Sequence, residues 1–314
     1  MTILVTGAFG FVGPGILRHL AHAHPQTEIV GADRDPPDAE AITLVSAKPN
    51  LAAATIDVTD RPAVRACLDA LRPAFVVHAA ALTPPDGGDR LATFDVNLGG
   101  TLNVLAAADR VGATRVVVAS SSGVYAATPA VTRSEDDPVD SGNAYAASKL
   151  AADALAAHYR AVAVRIGPVY GPHETARPSR PKISAIGQLA AALSEGRTVT
   201  LCGPDVARDW THVDDIARGV DGLLRAGTLR HRVYNLSAGR AEPLSAVAAA
   251  FARHGLAVRW TDDPAEADIA YGPADARAPL ATQRIAADTG FAPRHTLETG
   301  IAALVAARTE KDRA

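Results

Sequence analysis

The sequence predicts an α/β protein built on a doubly wound parallel sheet. Through the first half of the chain, short apolar runs alternate with longer amphipathic or alanine-rich segments. The apolar runs are continuous, which is typical of strands that helices cover on both faces. A glycine-rich turn also stands between the first predicted strand and the first predicted helix.

Six strands and four helices are predicted before residue 167. The strands are the short apolar runs Ile3–Val5, Glu28–Ala32, Ala53–Ile56, Phe75–His78, Arg115–Ala119 and Val162–Ile166. The helices fill the longer intervals at Gly13–Ala23, Arg61–Leu71, Leu91–Val111 and Asn143–Tyr159. This repeated order of strand, helix and strand predicts parallel strands joined by crossover helices.

The pattern changes at residues 167–182, which are dense in Pro and Gly and predict a loop that crosses between two regions. A second, smaller α/β region follows. Its helices are predicted at Ile183–Glu195, Val213–Arg225, Leu244–His254 and Leu297–Arg308, and its strands at Thr198–Leu201 and Arg232–Leu236.

Composition places the chain among ordinary globular proteins. Its 314 residues are 48% hydrophobic and 21% charged, which argues against global disorder. The length fits one large domain or two closely coupled ones. A net charge of −3, without any run of Lys or Arg, provides no surface for nucleic acid or an anionic membrane.

The two cysteines, Cys67 and Cys202, form no CxxC motif and have no His pair at metal-ligand spacing nearby. A disulfide framework and a metal site are therefore not expected. The chain opens on the apolar run Ile3–Val5 without a basic segment, and no apolar stretch reaches the roughly 18 residues of a membrane helix. We expect a soluble, cytoplasmic protein.

A GxxGxxG pattern, Gly7, Gly10 and Gly13, follows the first strand. Glycines at this place let the backbone turn tightly and approach a pyrophosphate, while the helix N-terminus offers free N–H groups. The cofactor contacts predicted from this loop are Gly7, Phe9, Gly10, Phe11, Val12 and Gly13. The alternative is an ordinary tight turn between strand and helix.

Asp33 ends the second predicted strand, 20 residues after Gly13. Its carboxylate at this place can accept both hydroxyls of an adenosine ribose and repel a 2′-phosphate, which favours NAD over NADP. Arg34 leaves the preference open, because a guanidinium could receive that phosphate if Asp33 turned away.

Asp57, with Val58 beside it, follows the third predicted strand. The carboxylate could accept a hydrogen bond from an adenine amino group. It could equally be an acidic residue at a helix N-terminus, before Thr59 and Asp60.

Tyr145 and Lys149 are four residues apart on a predicted helix, so their side chains leave the same face. A phenol has an ordinary pKa near 10, and a nearby cation is expected to lower that pKa. Such a Tyr can take the proton of a secondary alcohol while the carbon gives hydride to nicotinamide. The chain has four Lys in all, which makes this pairing more informative. The alternative is a surface Tyr packed on a Lys side chain.

Ser120, Ser121 and Ser122 follow the apolar run Val116–Ala119, at the C-terminal end of a predicted central strand. Open α/β sheets place ligands at this edge. A hydroxyl here could hold the substrate oxygen against Tyr145. If the three serines stood without the other motifs, an ordinary Ser-rich turn would be the preferred interpretation.

These motifs together resemble the extended branch of the short-chain dehydrogenase/reductase superfamily, the sugar epimerases and dehydratases. The similarity covers essentially the whole chain, in five further segments: the Ser triplet before Gly123-Val124-Tyr125, Asn97–Asn103, Arg165–Pro172, Arg208–Asp215 and Thr289–Pro293. The resemblance implies a Rossmann NAD-binding domain at residues 1–166 and a substrate-binding domain at residues 167–314. Segments near residues 210–236 are expected to return to the first domain.

The resemblance implies that Tyr145 is the catalytic base, that Lys149 binds the nicotinamide ribose and tunes Tyr145, and that Ser121 orients the reacting hydroxyl. Ser121 is chosen because the family residue precedes the tyrosine of the Val124-Tyr125 pair by four. Further implied cofactor contacts are His78, Ala79, Ala80, Ala81, Asn97, Pro168 and Val169.

Implied substrate contacts are Thr83, Ser121, Ser122, His173 and Arg208. Arg208 would bind a substrate anion, often a nucleotide diphosphate; a surface salt bridge with Asp209 or Asp214 is the alternative. Arg177, Arg180 and Lys182 of the crossover segment are expected to shape the choice of substrate.

Two departures from the family pattern narrow the function. Dehydratases carry an Asp-Glu pair where this chain has Ser122-Gly123, so elimination lacks its general acid. Many nucleotide-sugar enzymes have an Asn where this chain has Pro168, which weakens that assignment without excluding it.

The favoured hypothesis is an NAD-dependent epimerase of a sugar or nucleotide sugar. It would act by transient hydride abstraction from a secondary alcohol. The alternatives are a net dehydrogenase or reductase of a sugar, a sugar acid or another small secondary alcohol, and a non-catalytic NAD-binding regulator. The resemblance also implies a homodimer through Leu91–Val111 and Asn143–Tyr159.

Overall fold

The computed structural model of the chain describes residues 1–83, 88–126 and 131–313, without the side chains of Glu40 and of residues 310–313. Its strands are β1 Thr2–Thr6, β2 Glu28–Asp33, β3 Leu51–Thr55, β4 Phe75–His78, β5 Arg115–Ser121, β6 Val162–Ile166, β7 Val169–Tyr170, β8 Val199–Cys202, β9 Ala207–Arg208, β10 Thr211–His212, β11 Val233–Leu236, β12 Glu242–Pro243, β13 Val258–Trp260 and β14 Ile269–Ala270.

The helices begin mostly at polar residues whose side chains cap the first turn. Asp38, Asp60, Asn143 and Ser184 each accept a backbone N–H three residues later. The helices are α1 Gly13–Ala23, α2 Ala39–Ser46, α3 Arg61–Leu71, α4 Arg90–Phe94, α5 Thr101–Arg110, α6 Ala144–His158, α7 Ala185–Ser194, α8 Val213–Arg225, α9 Leu244–Ala252, α10 Gln283–Thr289 and α11 Leu297–Arg313. None of the helices in the described ranges is both long and apolar enough to cross a bilayer.

The main sheet contains seven parallel strands in the order β11-β6-β5-β4-β1-β2-β3. Val5 of β1 stands opposite Gly31 of β2 on one side and Val77 of β4 on the other. The strand order therefore reverses between β1 and β4, the place where open α/β sheets bind ligands.

Helices cover both faces of this sheet. On one face Leu17 of α1 and Ile216 of α8 belong to one apolar cluster, and on the other Leu68 of α3 and Leu105 of α5 belong to a second. The predicted doubly wound parallel sheet is confirmed. Its seventh strand, β11, comes from the second half of the chain and pairs with β6.

A third apolar cluster lies among α7, α9 and α11 and a small parallel sheet of order β13-β8-β14. Two short pairs, β7 with β10 and β9 with β12, connect this region to the end of β6. The division of the chain into two functional domains at residue 166 stays a prediction.

Several elements differ from the sequence prediction, which did not include β9, β10, β12, β13, β14 or α10. Helix α2 was not predicted, and the residues expected to form the helix Leu91–Val111 form α4, a π-helical segment at Asp95–Gly100, and α5. A Cβ at Gly100 would lie 2.6 Å from Cγ2 of Val58. This glycine therefore lets the π-helical segment lie close to the loop between β3 and α3. The predicted crossover loop contains the two-residue strand β7.

Candidate active site

A cleft of about 600 Å³ opens at the C-terminal ends of the central strands. One part of its lining comes from the turn after β1 and the ends of β2 and β4. The other comes from the crossover segment and the C-terminal region, where Arg208, Trp210 and Tyr271 reach the cleft. The predicted site residues in its lining are Gly7, Gly10, Phe11, Val12, Gly13, Asp33, Arg34, Asp57, Val58, Ala79, Ala80, Ala81, Thr83, Ser121, Tyr145, Lys149, Pro168, Val169 and Arg208.

The turn after β1 requires glycine for two different reasons. Gly7 has φ +69°, and a Cβ there would lie 2.4 Å from the backbone N of Ala80. A Cβ at Gly13 would lie 2.3 Å from the carbonyl O of Gly7. Gly10 has open space on its cleft side, since its nearest neighbour would be Gly7 O at 3.4 Å. The loop is thus a cradle that leaves room for a phosphate group over the start of α1.

The carboxylate of Asp33 is fixed at the edge of this cradle. Its Oδ2 accepts the N–H of Phe9 at 2.9 Å and its Oδ1 accepts the N–H of Arg34 at 2.9 Å. The Arg34 guanidinium turns to Asp35, with Nη2 and Oδ2 3.0 Å apart. The arrangement places an acceptor where an adenosine ribose would lie and keeps the neighbouring cation occupied.

Asp57 lines the same end of the cleft. Its Oδ1 accepts the N–H and the hydroxyl of Thr59, at 2.8 and 2.7 Å. The residue that caps α3 is Asp60, and Asp57 belongs to the turn just before that cap.

Ser121, Tyr145 and Lys149 come together beside the cradle. Ser121 ends β5, while Tyr145 and Lys149 lie on the first two turns of α6. Lys149 Nζ is 5.8 Å from the Tyr145 ring centroid and donates to the carbonyl O of Ala119 at 2.9 Å. A hydroxyl, a phenol and a buried ammonium group thus share one wall of the cleft.

The expected lowering of the pKa of Tyr145 by Lys149 is wrong. Burial raises the pKa of Tyr145 above its ordinary value, against smaller lowering contributions from a hydrogen bond with Ser121 and the charge of Arg180. Burial also lowers the pKa of Lys149 to about 8, and the nearby Asp153 opposes that shift. Asp153 is itself held by Arg165, whose Nε donates to its Oδ2 at 3.0 Å.

Five predicted site residues lie outside the cleft lining: Phe9, His78, Asn97, Ser122 and His173. His78 is buried under the cradle, where its ring nitrogens lie 2.7 Å from Thr6 Oγ1 and 3.0 Å from Thr101 Oγ1. Burial and the charge of Lys149 lower the pKa of His78 to about 3, so it is neutral. Its contacts make it a brace between β1 and α5.

Asn97 does not line the cleft but supports Leu82, which does. Its amide pairs with both backbone groups of Leu82, N–H at 2.8 Å and O at 3.0 Å, and donates to Ser148 Oγ at 3.0 Å. Phe9 contributes its backbone N–H to Asp33, and its side chain is buried.

Ser122 and His173 are both displaced from the substrate end. Ser122 begins the 3-10 turn Ser122–Val124 and turns away after the strand ends. His173 belongs to the crossover segment, outside the cleft lining, and its Nε2 lies 3.5 Å from Nη1 of Arg18.

Arg208 does not form the surface salt bridge considered for it. Its Nε donates to the carbonyl O of Asp275 at 2.8 Å, and its Nη1 donates to the Tyr271 hydroxyl at 3.2 Å. Its guanidinium carbon lies 4.9 Å from the ring centroid of Tyr271 and 5.7 Å from that of Trp210. The two aromatic rings hold the guanidinium at the cleft, where it could bind an anion or stack on a planar ring.

Residues beyond the predicted set also line the cleft: Asp35, Ile56, Thr175, Ser179, Trp210, Tyr271 and Asp275. Trp210 stands within the Arg208–Asp215 segment that carries the family resemblance, so that segment was a usable signal. Tyr271 follows the two-residue strand β14 and stands in no recognisable motif, because its place depends on tertiary pairing with β8.

The residues present fit an NAD cofactor. The glycine cradle excludes side chains at Gly7 and Gly13, and Asp33 and Asp57 stand where the adenosine half would lie. Tyr145 and Lys149 stand at the other end, beside Pro168 and Val169.

Comparison with known proteins agrees with this geometry. The model of the NAD dependent epimerase/dehydratase family matches residues 3–237. The chain is similar to UDP-glucose 4-epimerase of Mycolicibacterium smegmatis, with 33% identity over 240 residues, 72% of this chain and 73% of that one. It is also similar to dTDP-glucose 4,6-dehydratase of Streptomyces griseus, with 29% identity over 326 residues, 97% and 93% of the two chains.

Solved structures give the same picture. MoeE5 in complex with UDP-glucose and NAD superposes with a TM-score of 0.78 and 26% identity, covering 100% of both chains. The dTDP-glucose 4,6-dehydratase of Bacillus anthracis in complex with NAD superposes with a TM-score of 0.83 over 100% of this chain and 98% of that one. At 20% identity the second likeness concerns the fold alone.

Proposed function

We propose, from the premise that the chain belongs to the NAD-dependent epimerase/dehydratase family, that this enzyme epimerises a nucleotide sugar at a secondary alcohol. The observation that carries the proposal is the meeting of Ser121, Tyr145 and Lys149 beside the glycine cradle, in a cleft that continues to Arg208. One end of the cleft suits the cofactor and the other suits an anionic substrate.

Each residue has a distinct part in this reaction. Ser121 and Tyr145 hold the reacting hydroxyl, and Tyr145 in its phenolate form takes the proton of that hydroxyl and later returns it. Lys149 supplies a positive charge close to the phenol. The cofactor, when bound, supplies the hydride acceptor at the reacting carbon.

Epimerisation is favoured over dehydration by the acids available. In the described part of the chain, the carboxylates that line the cleft are Asp33, Asp35, Asp57 and Asp275. Ser122 and Gly123 follow the strand end at Ser121, and a Cβ on Gly123 would lie 3.2 Å from Ser121 Oγ. Neither of the two residues after Ser121 carries a carboxyl group that could protonate a neighbouring hydroxyl of the substrate and so expel it.

The test measures turnover of nucleotide-linked and free sugars with NAD, following both the epimer and NADH. We expect conversion of one epimer without stoichiometric NADH, and a loss of turnover on the order of 100-fold or more in Tyr145→Phe, which retains NAD binding. Tyr159→Phe removes a hydroxyl at the end of the same helix, outside the cleft lining, and should keep full activity. Accumulation of NADH equal to substrate consumed would instead identify a net dehydrogenase.

We also propose a homodimer in the cytoplasm. Leu91 is 76% exposed and Leu102 is 40% exposed on α4 and α5, which supports a partner surface there. Cys67 and Cys202 are both free thiols, which supports a reducing compartment. Light scattering at several concentrations would give the mass in solution, and a monomeric mass throughout would rule out the dimer.

A further inference from the structure

Residues 174–184, here named the crossover hairpin, fold back on themselves at the mouth of the cleft. Arg177 and Arg180 exchange both backbone hydrogen bonds, at 3.0 and 2.9 Å. The base is fixed by the buried carboxylate of Glu174, which accepts Arg180 Nη2 at 2.6 Å, the Ser184 hydroxyl at 2.6 Å and the Ser184 N–H at 2.8 Å. These hydrogen bonds hold the hairpin in one conformation, with residues 177–180 at its tip.

The tip contacts both walls of the cofactor end. On the side of the glycine cradle, Arg177 Nη1 donates to the carbonyl O of Phe9 at 2.5 Å, and the guanidinium carbon of Arg180 lies 4.4 Å from the ring centroid of Phe11. On the opposite side, the N–H of Thr83, in the segment after β4, donates to the carbonyl O of Ser179 at 2.9 Å.

The two walls follow β1 and β4, the pair of strands between which the strand order reverses. A dinucleotide in this fold crosses the sheet edge at that point, with its pyrophosphate on the cradle. Thr175, Arg177, Ser179 and Arg180 line the cleft together with Gly10. The hairpin therefore spans the exit of the cofactor end from one wall to the other.

We propose that the crossover hairpin is a clasp that retains NAD, and that NAD enters and leaves only when the Arg177–Phe9 and Ser179–Thr83 contacts open. This inference rests on the proposed function, because it takes the cleft as the NAD site. Retention has a chemical use there: in epimerisation the hydride that leaves the substrate would return to the same carbon, so the cofactor would end each cycle unchanged and would not need to exchange.

Arg177 is the residue to change. Beyond its contact with Phe9, its Nε donates to Thr175 Oγ1 at 3.2 Å and its Nη2 lies 3.7 Å from Asp38 Oδ2. The Arg177 side chain is 29% exposed and that of Asp38 is 56% exposed, so water can solvate the groups left behind. Arg180 is a poorer choice, because its loss would leave the buried Glu174 carboxylate without its cation.

The experiment measures association and dissociation of the fluorescent probe 1,N6-etheno-NAD by rapid mixing, with excess NAD as the chase. A clasp is a barrier to passage in both directions. Arg177→Ala should therefore raise both rate constants, on the order of 10-fold for the loss of a charge-assisted contact, and leave the dissociation constant within about threefold. Arg197→Ala removes an exposed arginine outside the cleft lining and should change neither rate.

Two results would overturn the clasp. Unchanged rates in Arg177→Ala would show that the hairpin does not limit passage, and a rise in dissociation alone would make Arg177 a direct contact of the dinucleotide. A wild-type enzyme that, once freed of bound nucleotide, binds neither the probe nor NAD itself would refute the proposed function, and the clasp with it. The failures of the two ideas are thus distinguishable.

A cross-link provides an independent test. In Thr83→Cys with Ser179→Cys, oxidation with diamide after loading should hold etheno-NAD through gel filtration, and dithiothreitol should release it. Each single variant, which keeps Cys67 and Cys202, controls for the native thiols. If the oxidised double variant released etheno-NAD as fast as the dithiothreitol-treated protein does, that result would contradict the clasp.

Discussion

Choice of cofactor depends on two neighbouring residues at the end of β2. Asp33 is held by two backbone N–H groups, and Arg34 is held by Asp35. A fixed carboxylate accepts the ribose hydroxyls and repels a 2′-phosphate, and a guanidinium bound to another acid is less available to that phosphate. Both features favour NAD.

We expect Asp33→Ala to weaken NAD binding and to shift the preference toward NADP, on the order of 10- to 100-fold in the ratio of dissociation constants. Calorimetric titration of both cofactors measures it. Asp35→Ala is the matched variant: it releases Arg34 and should strengthen NADP binding while leaving NAD nearly unchanged. An unaltered ratio in Asp33→Ala would show that the ribose contact lies elsewhere.

The contact between α1 and α8 is organised around a single buried carboxylate. Asp221 of α8 is 2% exposed and accepts His19 Nε2 at 3.0 Å and His24 Nε2 at 2.8 Å from α1 and its end. Arg225 Nε donates to it at 2.9 Å. Burial alone would raise the pKa of Asp221, but these hydrogen bonds and charges hold it at about 2.

A folded-state pKa below the ordinary value of 3.8 means that Asp221 stabilises the fold at pH values above that value. The contribution, about 2 kcal/mol, is lost as pH falls from about 4 toward 2. We expect Asp221→Asn to lose about that free energy of unfolding at pH 7 and to approach the wild type near pH 2, measured by urea denaturation. Asp69→Asn, at an exposed carboxylate that pairs with Arg110 and Arg65, should lose less than about 1 kcal/mol. An Asp221→Asn deficit that did not shrink on acidification would contradict the assignment.

Elements with strong local patterns were predicted to the residue. The bounds of α1, α3, α8, β4 and β6 in the structure equal the predicted ones, because each combines a clear apolar period with a Pro, an acid or a glycine at its edge. Two-residue strands such as β9 and β12 could not be predicted, since pairing with a distant segment creates them. The π-helical segment was also missed, and it ends at Gly100, whose close approach to Val58 is a tertiary contact.

In the candidate site, too, the features with local sequence patterns were predicted and those that depend on tertiary contacts were not. Glycine spacing, the acid after β2 and the Tyr145-xxx-Lys149 pair are local patterns, and the structure brings all of them to one cleft. The places of His78 and Asn97 depend on partners 15 to 72 residues away, which the family resemblance that implied these two contacts could not show. The pKa of Tyr145 was misjudged because burial, which outweighs the nearby charges, cannot be read from spacing.

At the scale of the whole molecule, the cleft lies between the main sheet and the C-terminal region. The cradle and Tyr145 stand on the main sheet with its two clusters, whereas Tyr271 and Arg208 stand on the region packed around α7, α9 and α11. A ligand that spans the cleft must contact both. The proposed nucleotide sugar is of this kind, because its reacting hydroxyl belongs at Tyr145 and its diphosphate at Arg208.

Thermal unfolding can separate the two halves of the cleft. A ligand at 100 times its dissociation constant stabilises the native state by about 2.7 kcal/mol, which should raise the Tm by several degrees. We expect NAD and UDP each to raise the Tm of the wild type. Arg208→Ala should keep the NAD shift and lose most of the UDP shift, because the cation that meets the diphosphate is gone. Arg277→Ala removes a guanidinium of the same region whose Nη1 donates to the nearby carbonyls of Ala274 and Ala276, outside the cleft lining, so both shifts should persist. An undiminished UDP shift in Arg208→Ala would mean that the diphosphate binds at another cation of the cleft, and Lys182 and Arg180 would be the next positions to change.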